Sequence, residues 1–389
     1  MDGSLVEADW PPLTLDEVRP LLCSYENAYR PVEILSASPR PFSAAGVVET
    51  HGGRIFIKRH HRMVRDVEGL LEEHRFIAHL RAHGASVPRV IANAEGGTAI
   101  ASGEWTYEVH ETPAGLDLYQ DALSWTPFHS PAHAYSAGQA LARLHEAAVS
   151  FDAPARKPRP LVASFTVFAA QDPHIALESY FAERPALAQS AAARRDGEAA
   201  LELLAPFHAE LLPLLSELPP LWTHNDLHAS NLFWSDASDD AGATTVIDFG
   251  LADRTNAVYD LAQAIERNVV DWLWLMRNSQ QAEDVPVQFD HLHALLDGYE
   301  SVHRLSAEEA TALAPMMALC HAEFALTEAD YFLGVLKSEE KARIAGDSYL
   351  VGHARWFRSA GGAKLLDALR SWVERRARPR VAAVSRTES

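Results

Sequence analysis

The chain has 389 residues, 48% of them hydrophobic and 22% charged, and its formal net charge at pH 7 is −19. So acidic a chain is not expected to have a general nucleic-acid-binding surface, because phosphate neutralisation needs clustered Lys and Arg. It has two cysteines, no run of about 18 uncharged apolar residues and no signal-peptide pattern at its start, which predicts a cytoplasmic protein without membrane helices.

The first predicted elements are strands with one helix between them. Residues 45–50 and 54–58 have the composition of two strands around a turn. A helix is predicted from about 66 to 83, because its apolar residues recur at helical spacing and a glycine follows. Two more strands are predicted at 87–91 and 105–110. This order indicates a small sheet with one helix packed on it.

After residue 115 the patterns become mainly helical. Helical spacing dominates three segments: 134–148, 174–217 and 259–376. A shorter irregular and β-like stretch lies between the last two. The sequence therefore predicts an α+β fold of two lobes, with an N-terminal lobe at 1–110 and a larger, mostly helical C-terminal lobe at 111–389.

The segment at 222–250 contains the residues that carry chemistry. His224, Asp226 and Asn231 have the order His-x-Asp-x4-Asn, and Asp248 ends an apolar strand seventeen residues later. Phosphoryl transfer needs one carboxylate to orient the acceptor hydroxyl, and a second carboxylate and an amide oxygen to hold Mg²⁺. Residues 235–244 between the two parts are rich in Asp, Ser and Gly, so a hairpin can return Asp248 to the side of Asn231.

These two parts resemble the catalytic and metal-binding loops of aminoglycoside phosphotransferases and the related choline, homoserine and methylthioribose kinases. The family is similar in fold to the protein kinases, so the resemblance implies a kinase-like bilobal fold. It also implies that Asp226 is the catalytic base, that Asn231 and Asp248 bind Mg²⁺, and that His224 braces the catalytic loop. Asn225 replaces the arginine of protein kinases, as is usual among the small-molecule kinases.

Lys58 and Glu73 are the predicted pair of the nucleotide site. Lys58 is the only lysine in the first 156 residues and ends an apolar strand, where a compact ammonium can bind phosphates. A chance surface lysine is the alternative. Glu73 falls within the apolar stripe of the predicted helix, and a buried carboxylate needs a cation. The resemblance pairs Glu73 with Lys58. Glu68 or Glu72 is the alternative partner of Lys58 if the helix is rotated.

The resemblance also implies contacts with the rest of the nucleotide. Residues 36–46 lack a glycine-rich pattern, yet they occupy the position of the phosphate-covering loop, and Ser43 is expected to contact phosphate through its backbone N–H. The backbone of the strand containing Glu108, Val109 and His110 occupies the position that holds adenine.

Two further interpretations of the loop residues stay open. Asp260 is expected to fix the catalytic loop by accepting backbone hydrogen bonds, although it could simply cap a helix. His224 and His228 have the i, i+4 spacing of a zinc-binding helix, but Asn225 and Ser230 are weak helix formers and no adjacent Glu completes the zinc-protease pattern.

The sequence thus predicts transfer of the γ-phosphoryl group of Mg-ATP to a hydroxyl of a small molecule, such as an amino sugar or amino alcohol. The expected cofactors are ATP and Mg²⁺, and no nucleic acid or membrane partner is expected. A bacterial stress-response type of protein Ser/Thr kinase and a non-catalytic nucleotide-binding pseudokinase are the alternatives. The acceptor and the oligomeric state are left open.

Overall fold

The computed structural model describes residues 8–38, 40–274 and 284–377. The first lobe contains, in order, α1 (Leu15–Leu22), β1 (Pro31–Ala37), β2 (Ser43–Thr50), β3 (Gly53–His61), α2 (Val67–Ala82), β4 (Ala99–Ser102) and β5 (Trp105–Glu111). A 3-10 turn, Asn27–Tyr29, precedes β1. The five strands form one antiparallel sheet in the order β1-β2-β3-β5-β4.

The two faces of this sheet have different chemistry because side chains alternate along a strand. Apolar residues of one face, including Ile57 and Val109, pack against Val18 of α1. Polar residues of β3 and β5 occupy the other face, which contacts α2. There Lys58 lies opposite Glu108 in the register of the two strands. The sheet thereby presents a row of charged and polar groups on the side of α2.

Helix α2 joins the sheet to the second lobe. It begins after Asp66, whose side chain accepts a hydrogen bond from Gly69 N at 2.7 Å. On its buried face, the ring of Phe76 lies 5.3 Å from that of Trp222 and 6.0 Å from that of Phe249. Both aromatic residues belong to the irregular stretch between the helical segments, so α2 packs directly on that stretch.

The second lobe is mainly helical. Its elements are α3 (Pro131–Ala148), α4 (Pro173–Ala182), α5 (Pro185–Gln189), α6 (Ala191–Leu211), β6 (Pro220–Thr223), β7 (Leu232–Trp234), β8 (Ala243–Val246), β9 (Asp253–Asn256), α7 (Ala257–Val269), α8 (Phe289–Glu300), α9 (Ala307–Leu319), α10 (His321–Tyr331), α11 (Glu339–Arg343), α12 (Gly352–Phe357) and α13 (Ala360–Ala377). Two π-helical segments, Phe332–Leu336 and Ile344–Val351, flank α11. Strand β6 pairs with β9, and β7 with β8. The predicted α+β class is confirmed.

The segment between the lobes is fastened to the β7–β8 hairpin. Leu116 and Trp234 exchange two backbone hydrogen bonds, of 2.7 and 2.9 Å. Gly115 precedes them with a φ of +110°, and a Cβ there would lie 2.7 Å from Trp234 O. Only glycine therefore suits this turn, which holds the end of the first lobe against the irregular stretch of the second.

The structure differs from the sequence-based expectation at four elements of the first lobe. The segment 87–91, expected to be a strand, makes only an isolated bridge between Val90 and His110. Pro88 has no N–H to donate, and β4 takes that edge of the sheet instead. Strands β1 and β4 and helix α1 were not predicted. Most of β1 is half-buried or exposed, so it lacks the apolar alternation of a core strand.

Among the residues that the structure describes, two helical runs are long and apolar enough to span a membrane by length and composition alone, Ala191–Glu217 and Ala307–Leu336. The most apolar window of the second is 94% buried within the protein, as expected of a core helix, whereas that of the first is 33% buried. Buried core helices meet the same length and composition criteria, so these runs are weak evidence of a membrane segment.

Candidate active site

The predicted catalytic loop lies between β6 and β7 and is not helical. Asn225 has a φ of 61°, a left-handed conformation that side chains other than glycine adopt infrequently. The loop ends in a single 3-10 turn, Ala229–Asn231. His224 and His228 therefore do not lie one turn apart on a helix, and their rings have separate protein partners, Ile247 O and the hydroxyl of Ser230. The zinc-helix interpretation is wrong.

Asp260 holds the start of this loop. Its fully buried carboxylate accepts hydrogen bonds from the backbone N–H groups of His224 and Asn225, both at 2.8 Å, and contacts His145 Nε2 at 3.0 Å. Burial favours the neutral acid, but the hydrogen bond and charge of His145 hold the pKa of Asp260 below its usual value. The N-cap of α7 is Asn256, so Asp260 is free for the loop.

A second residue of α7, Asn268, holds the middle of the same loop. Its Nδ2 donates to Leu227 O at 2.8 Å, and its Oδ1 accepts from Ala229 N at 2.9 Å. Sequence reasoning missed Asn268, because nothing in its local pattern distinguishes it from an ordinary helix residue. Two side chains of one buried helix thus fix the backbone on both sides of Asp226.

The ring of His224 links the catalytic loop to the predicted metal loop. Its Nδ1 accepts from Asp226 N at 3.1 Å, so Nε2 carries the proton and donates to Ile247 O at 2.9 Å. Burial lowers the pKa of His224, which agrees with a neutral ring. Ile247 N in turn donates to Asn231 O at 3.0 Å. These bonds place Asp248 directly after a backbone segment that is tied to both Asp226 and Asn231.

Asn231 contacts Asp226 directly. Its Nδ2 donates to the backbone oxygen of Asp226 at 2.9 Å and to the carboxylate Oδ2 at 3.2 Å. Because Nδ2 is committed to Asp226, Oδ1 is the atom of Asn231 that remains to bind a cation. An amide oxygen is one of the hard ligands that Mg²⁺ prefers.

Lys58 and Asp248 form an ion pair between the two lobes. Lys58 Nζ lies 2.7 Å from Asp248 Oδ1, and Asp248 has a left-handed φ of 62°. Burial disfavours the charged forms of both groups, yet each charge stabilises the charged form of its partner. The charge of Lys58 and its hydrogen bond lower the pKa of Asp248, while Asp248, Glu108 and Glu73 raise the pKa of Lys58. Both groups are therefore charged at neutral pH.

The predicted Lys58–Glu73 ion pair is wrong. Glu73 is buried as expected, but its Oε2 lies 3.9 Å from nitrogen atoms of Arg65 and Arg156, and the partner of Lys58 is Asp248. Two arginines already balance the charge of Glu73, and Asp248 is the nearer anion for Lys58. A helical wheel could place Glu73 on the buried face but could not identify cations that lie outside the helix.

Arg65 and Arg156 connect Glu73 to the segment after Asp248. Both guanidinium groups donate to Gly250 O, and Arg156 also donates to Ala252 O at 3.2 Å. Sequence reasoning missed both arginines. These two arginines therefore link Glu73 of α2 to the backbone of the metal loop, and this link does not run through Lys58.

Two expected nucleotide contacts are not supported by the backbone geometry. Ser43 N donates to Pro41 O at 2.9 Å, so this N–H is not available to a phosphate. Strand β5 is paired on both edges at Glu108, Val109 and His110. Strand β3 lies along one edge; on the other, Glu108 pairs with β4, Val109 O accepts from residue 91 and His110 forms the bridge with residue 90. The side chain of Glu108 is also buried, so these residues of β5 offer neither a free backbone edge nor this carboxylate to adenine.

Arg40 is the charged residue that the loop before β2 brings to the cleft. Its Nη1 donates to Ala122 O at 2.8 Å and its Nη2 to Tyr119 O at 3.4 Å, so the loop of the first lobe reaches the second. Burial lowers the pKa of Arg40, while the nearby charges of Asp117 and Asp248 raise it. The loop therefore presents a guanidinium near the predicted metal ligand instead of a row of glycines.

The carboxylate of Asp226 has a buried cationic partner, Arg267 of α7. Arg267 Nη1 forms an ion pair with Asp226 Oδ1, and the arginine side chain is fully buried while that of Asp226 is 17% exposed. The guanidinium also lies 4.6 Å from the ring of Phe324 and 5.5 Å from that of Trp125. His228 Nε2 lies 3.8 Å from the same carboxylate oxygen, and burial lowers its pKa to about 3, so the ring is neutral.

Comparisons with known proteins identify the family and the fold. A sequence profile of the phosphotransferase enzyme family matches residues 44–305, more than half of the chain. A search of curated proteins found no match to the chain. The microcompartment-associated aminopropanol kinase has 19% identity and a TM-score of 0.57, covering 90% of this chain and 99% of that one.

Two other solved structures are similar over comparable lengths. The amicoumacin kinase in complex with AMP-PNP, Ca²⁺ and Ami has 16% identity and a TM-score of 0.53, covering 92% of each chain. The spectinomycin phosphotransferase in complex with ADP and spectinomycin has 12% identity and a TM-score of 0.51, covering 89% of this chain and 98% of that one. At these identities the likeness shows a shared fold.

Proposed function

The chain belongs to the phosphotransferase enzyme family, and from that membership we propose that it transfers the γ-phosphoryl group of Mg-ATP to a hydroxyl group of a small molecule. The contact of Asn231 with Asp226, next to the Lys58–Asp248 ion pair, carries the proposal. These contacts support the proposal because they bring close together a carboxylate that could orient the acceptor, two oxygen groups that could bind a cation and an ammonium that could bind phosphate, which is the set of groups that phosphoryl transfer uses.

The donor set fits Mg²⁺ and a triphosphate. Asn231 Oδ1 and the carboxylate of Asp248, which is 38% exposed, are hard oxygen ligands. Lys58 of β3 and Arg40 of the loop before β2 would supply positive charge for phosphate oxygens. Bound Mg²⁺ would neutralise charge that develops on the transferred phosphoryl group.

Asp226 is the proposed catalytic base. Its carboxylate would orient the acceptor hydroxyl and take its proton as the oxygen attacks phosphorus. Asp260 and Asn268 hold the loop backbone around Asp226, so the carboxylate is positioned before the substrate binds. Arg267 keeps the carboxylate in place through its buried ion pair. Most of the rate enhancement would come from this positioning together with electrostatic stabilisation.

For the acceptor we propose an amino sugar, an amino alcohol or a similar hydroxylated small molecule. The aminopropanol and amicoumacin kinases and the spectinomycin phosphotransferase, by their names, act on small molecules of this kind. We also propose that the division between the two lobes lies near residues 110 and 111, where β5 ends, and that the protein acts in the cytoplasm, where ATP is abundant.

The direct test uses the full chain, γ-phosphate-labelled ATP, Mg²⁺ and a library of amino sugars, amino alcohols and nucleosides. We expect label on at least one small molecule with wild-type protein and none with Asp226→Asn. The proposal fails if label appears only on proteins of an added cell lysate, or if both forms of the enzyme transfer label equally well. A thermal-shift screen with AMP-PNP present would rank the acceptors first.

A further inference from the structure

Four titratable side chains meet at the polar face of the sheet, three from its strands and one from α2, and none of them is assigned a step in the proposed transfer. The carboxylate of Glu108 is at the centre of the cluster. Its Oε1 lies 2.8 Å from His60 Nε2, and its Oε2 lies 2.8 Å from Nε2 of both His74 and His110. Each of the three imidazole rings presents the same nitrogen to the same carboxylate.

The fold builds this cluster from three elements. Residues two apart on a strand share a face, so His60 lies beside Lys58 on β3 and His110 lies beside Glu108 on β5. Lys58 and Glu108 are opposite each other in the register of the two strands. Helix α2 covers this face and contributes His74 from above. The cluster therefore ties α2 to both central strands.

The cluster is buried. The exposed fraction is 1% for the side chain of Glu108, 5% for His74, 6% for His60 and 13% for His110. Burying a carboxylate and three imidazoles has a large desolvation cost, and a bound cation would offset the part of that cost due to the carboxylate charge. The greater exposure of His110 leaves one edge open to solvent, through which an ion can exchange.

We propose that His74, Glu108 and His110 bind a transition-metal dication, for which Zn²⁺ is the best match. Two imidazole nitrogens and one carboxylate oxygen, with a fourth position open to water, are a ligand set of zinc. The donor atoms of these three residues all lie within 4.8 Å of one another. Bonds of about 2.0–2.2 Å put neighbouring ligands of a tetrahedral ion roughly 3.3 Å apart. The 2.8 Å contacts of Glu108 Oε2 with the two rings therefore need to open by only about half an ångström. His60 contacts the other oxygen of Glu108 and so holds the carboxylate in place.

The protons of the cluster can be rearranged without loss of a hydrogen bond at His74. With Glu108 as acceptor, Nε2 of His74 carries the proton and Nδ1 faces the hydroxyl of Thr98 at 2.9 Å. Metal binding needs the lone pair of Nε2, so the proton moves to Nδ1. The Thr98 hydroxyl, which can donate or accept, then accepts from Nδ1. A partner on the second ring nitrogen is the usual support of a metal-binding histidine.

This site is distinct from the proposed Mg²⁺ ligands but adjacent to them. The charge of Glu108 supports the protonated state of Lys58, and a dication on Glu108 would offset that charge. The main expected consequence is mechanical, because the ion would join α2 to β3 and β5 and so stabilise the first lobe.

The test uses the full chain after dialysis against a chelator. Isothermal titration with Zn²⁺ should show one ion per chain and a rise in Tm of several degrees, and Co²⁺ as a spectroscopic substitute should give the intense visible bands of a tetrahedral site. Wild-type protein that binds no ion, or that shows only the weak bands of octahedral Co²⁺, would overturn the proposal, whatever the variants do.

Two variants and one matched control locate the site. His74→Gln and His110→Gln each remove one ligand. Both variants should lose the tightly bound Zn²⁺ ion and the visible bands of tetrahedral Co²⁺. His83→Gln is the control, since His83 is an exposed histidine of the same helix region that stacks on His79 with ring centroids 4.0 Å apart. It should bind as the wild type does. If both variants fold and still bind one Zn²⁺ ion per chain, the assignment is refuted.

Discussion

Arg267 forms a buried ion pair with Asp226, which precedes it by 41 positions, and it approaches the carboxylate from helix α7 beneath the catalytic loop. Removing one partner of a buried pair leaves the other charge without compensation. The same arginine rests on the rings of Phe324 and Trp125, so its position is fixed by packing as well as by charge. Arg267 is thus a positioning residue for the proposed catalytic base.

Arg267→Met should lower kcat by roughly tenfold or more while KM for ATP changes less, because the carboxylate loses the contact that orients it. Steady-state kinetics with the acceptor found by screening would measure this. Arg254→Met is the matched control, since Arg254 lies on β9 with a 35% exposed side chain and pairs with Asp152. An unchanged kcat in a folded Arg267→Met protein would contradict the positioning role.

Asp226→Asn should abolish phosphoryl transfer and leave nucleotide binding nearly intact, because the amide has the shape of the carboxylate but cannot take the proton of the hydroxyl. Binding of AMP-PNP by isothermal titration and turnover by label transfer measure the two effects separately. Asp236→Asn, in the exposed β7–β8 turn, should leave both unchanged. Loss of AMP-PNP binding together with turnover would argue that Asp226 shapes the nucleotide site instead.

Asp260→Ala should reduce the free energy of unfolding by about 3 kcal/mol or more. It leaves two backbone N–H groups and His145 without their buried acceptor, and each unsatisfied group costs roughly 1–3 kcal/mol. Urea unfolding would measure the change. Asp367→Ala, whose side chain is 73% exposed, should change the free energy of unfolding by no more than about 0.5 kcal/mol. Equal stabilities of the two variants would mean that the loop finds other acceptors.

Much of the fold could be predicted because the deciding patterns are local. Apolar periodicity located β2, β3, α2 and β5, and with them Lys58 and the buried face that contains Glu73. The turn-forming composition of residues 235–244 likewise predicted the hairpin that the structure forms between β7 and β8. Strand β1 was missed because an edge strand with half-exposed residues has no such pattern.

The pairing of side chains could not be predicted in the same way. The cations near Glu73 are Arg65, which precedes its helix, and Arg156, in a proline-rich loop far along the chain. Arg267 lies on a helix whose residues are all buried, so its polar face contacts other segments of the protein and the helix alone does not identify its partner. Contacts between distant segments depend on how the lobes pack, and the resemblance to a family supplied a pairing for Lys58 that the structure does not form.

Arg40→Ala should raise KM for ATP by roughly five- to tenfold with a smaller effect on kcat, because the loop loses the guanidinium that lies near Asp248. Arg40→Lys should recover part of the affinity, since it retains the charge but not the planar fork. Arg54→Ala is the control, because its side chain is 64% exposed and pairs with Glu49. Equal KM values for the two alanine variants would remove Arg40 from the phosphate site.

Glu266 should make the stability of the protein fall as pH rises towards 8. The residue is fully buried, burial raises its pKa to about 8 from 4.5, and its Oε1 lies 3.1 Å from His353 Nδ1. The folded protein therefore holds a proton that the unfolded chain releases above about pH 4.5. Stability from this group is complete below that value and is lost progressively until the folded carboxyl ionises near pH 8.

Glu266→Gln cannot ionise and can still donate to His353, so it should remove this component of the pH dependence. Between pH 5 and 8, urea unfolding of wild-type protein should lose on the order of 3 kcal/mol more than the variant does. The pKa of His353 is lowered by burial, which contributes stability that grows as pH rises, but it does so in both proteins and cancels in the difference. Glu202→Gln, at an exposed position of α6, should follow the wild type. Parallel profiles for wild type and Glu266→Gln would show that Glu266 is ionised in the folded protein, which would require a cation beside it.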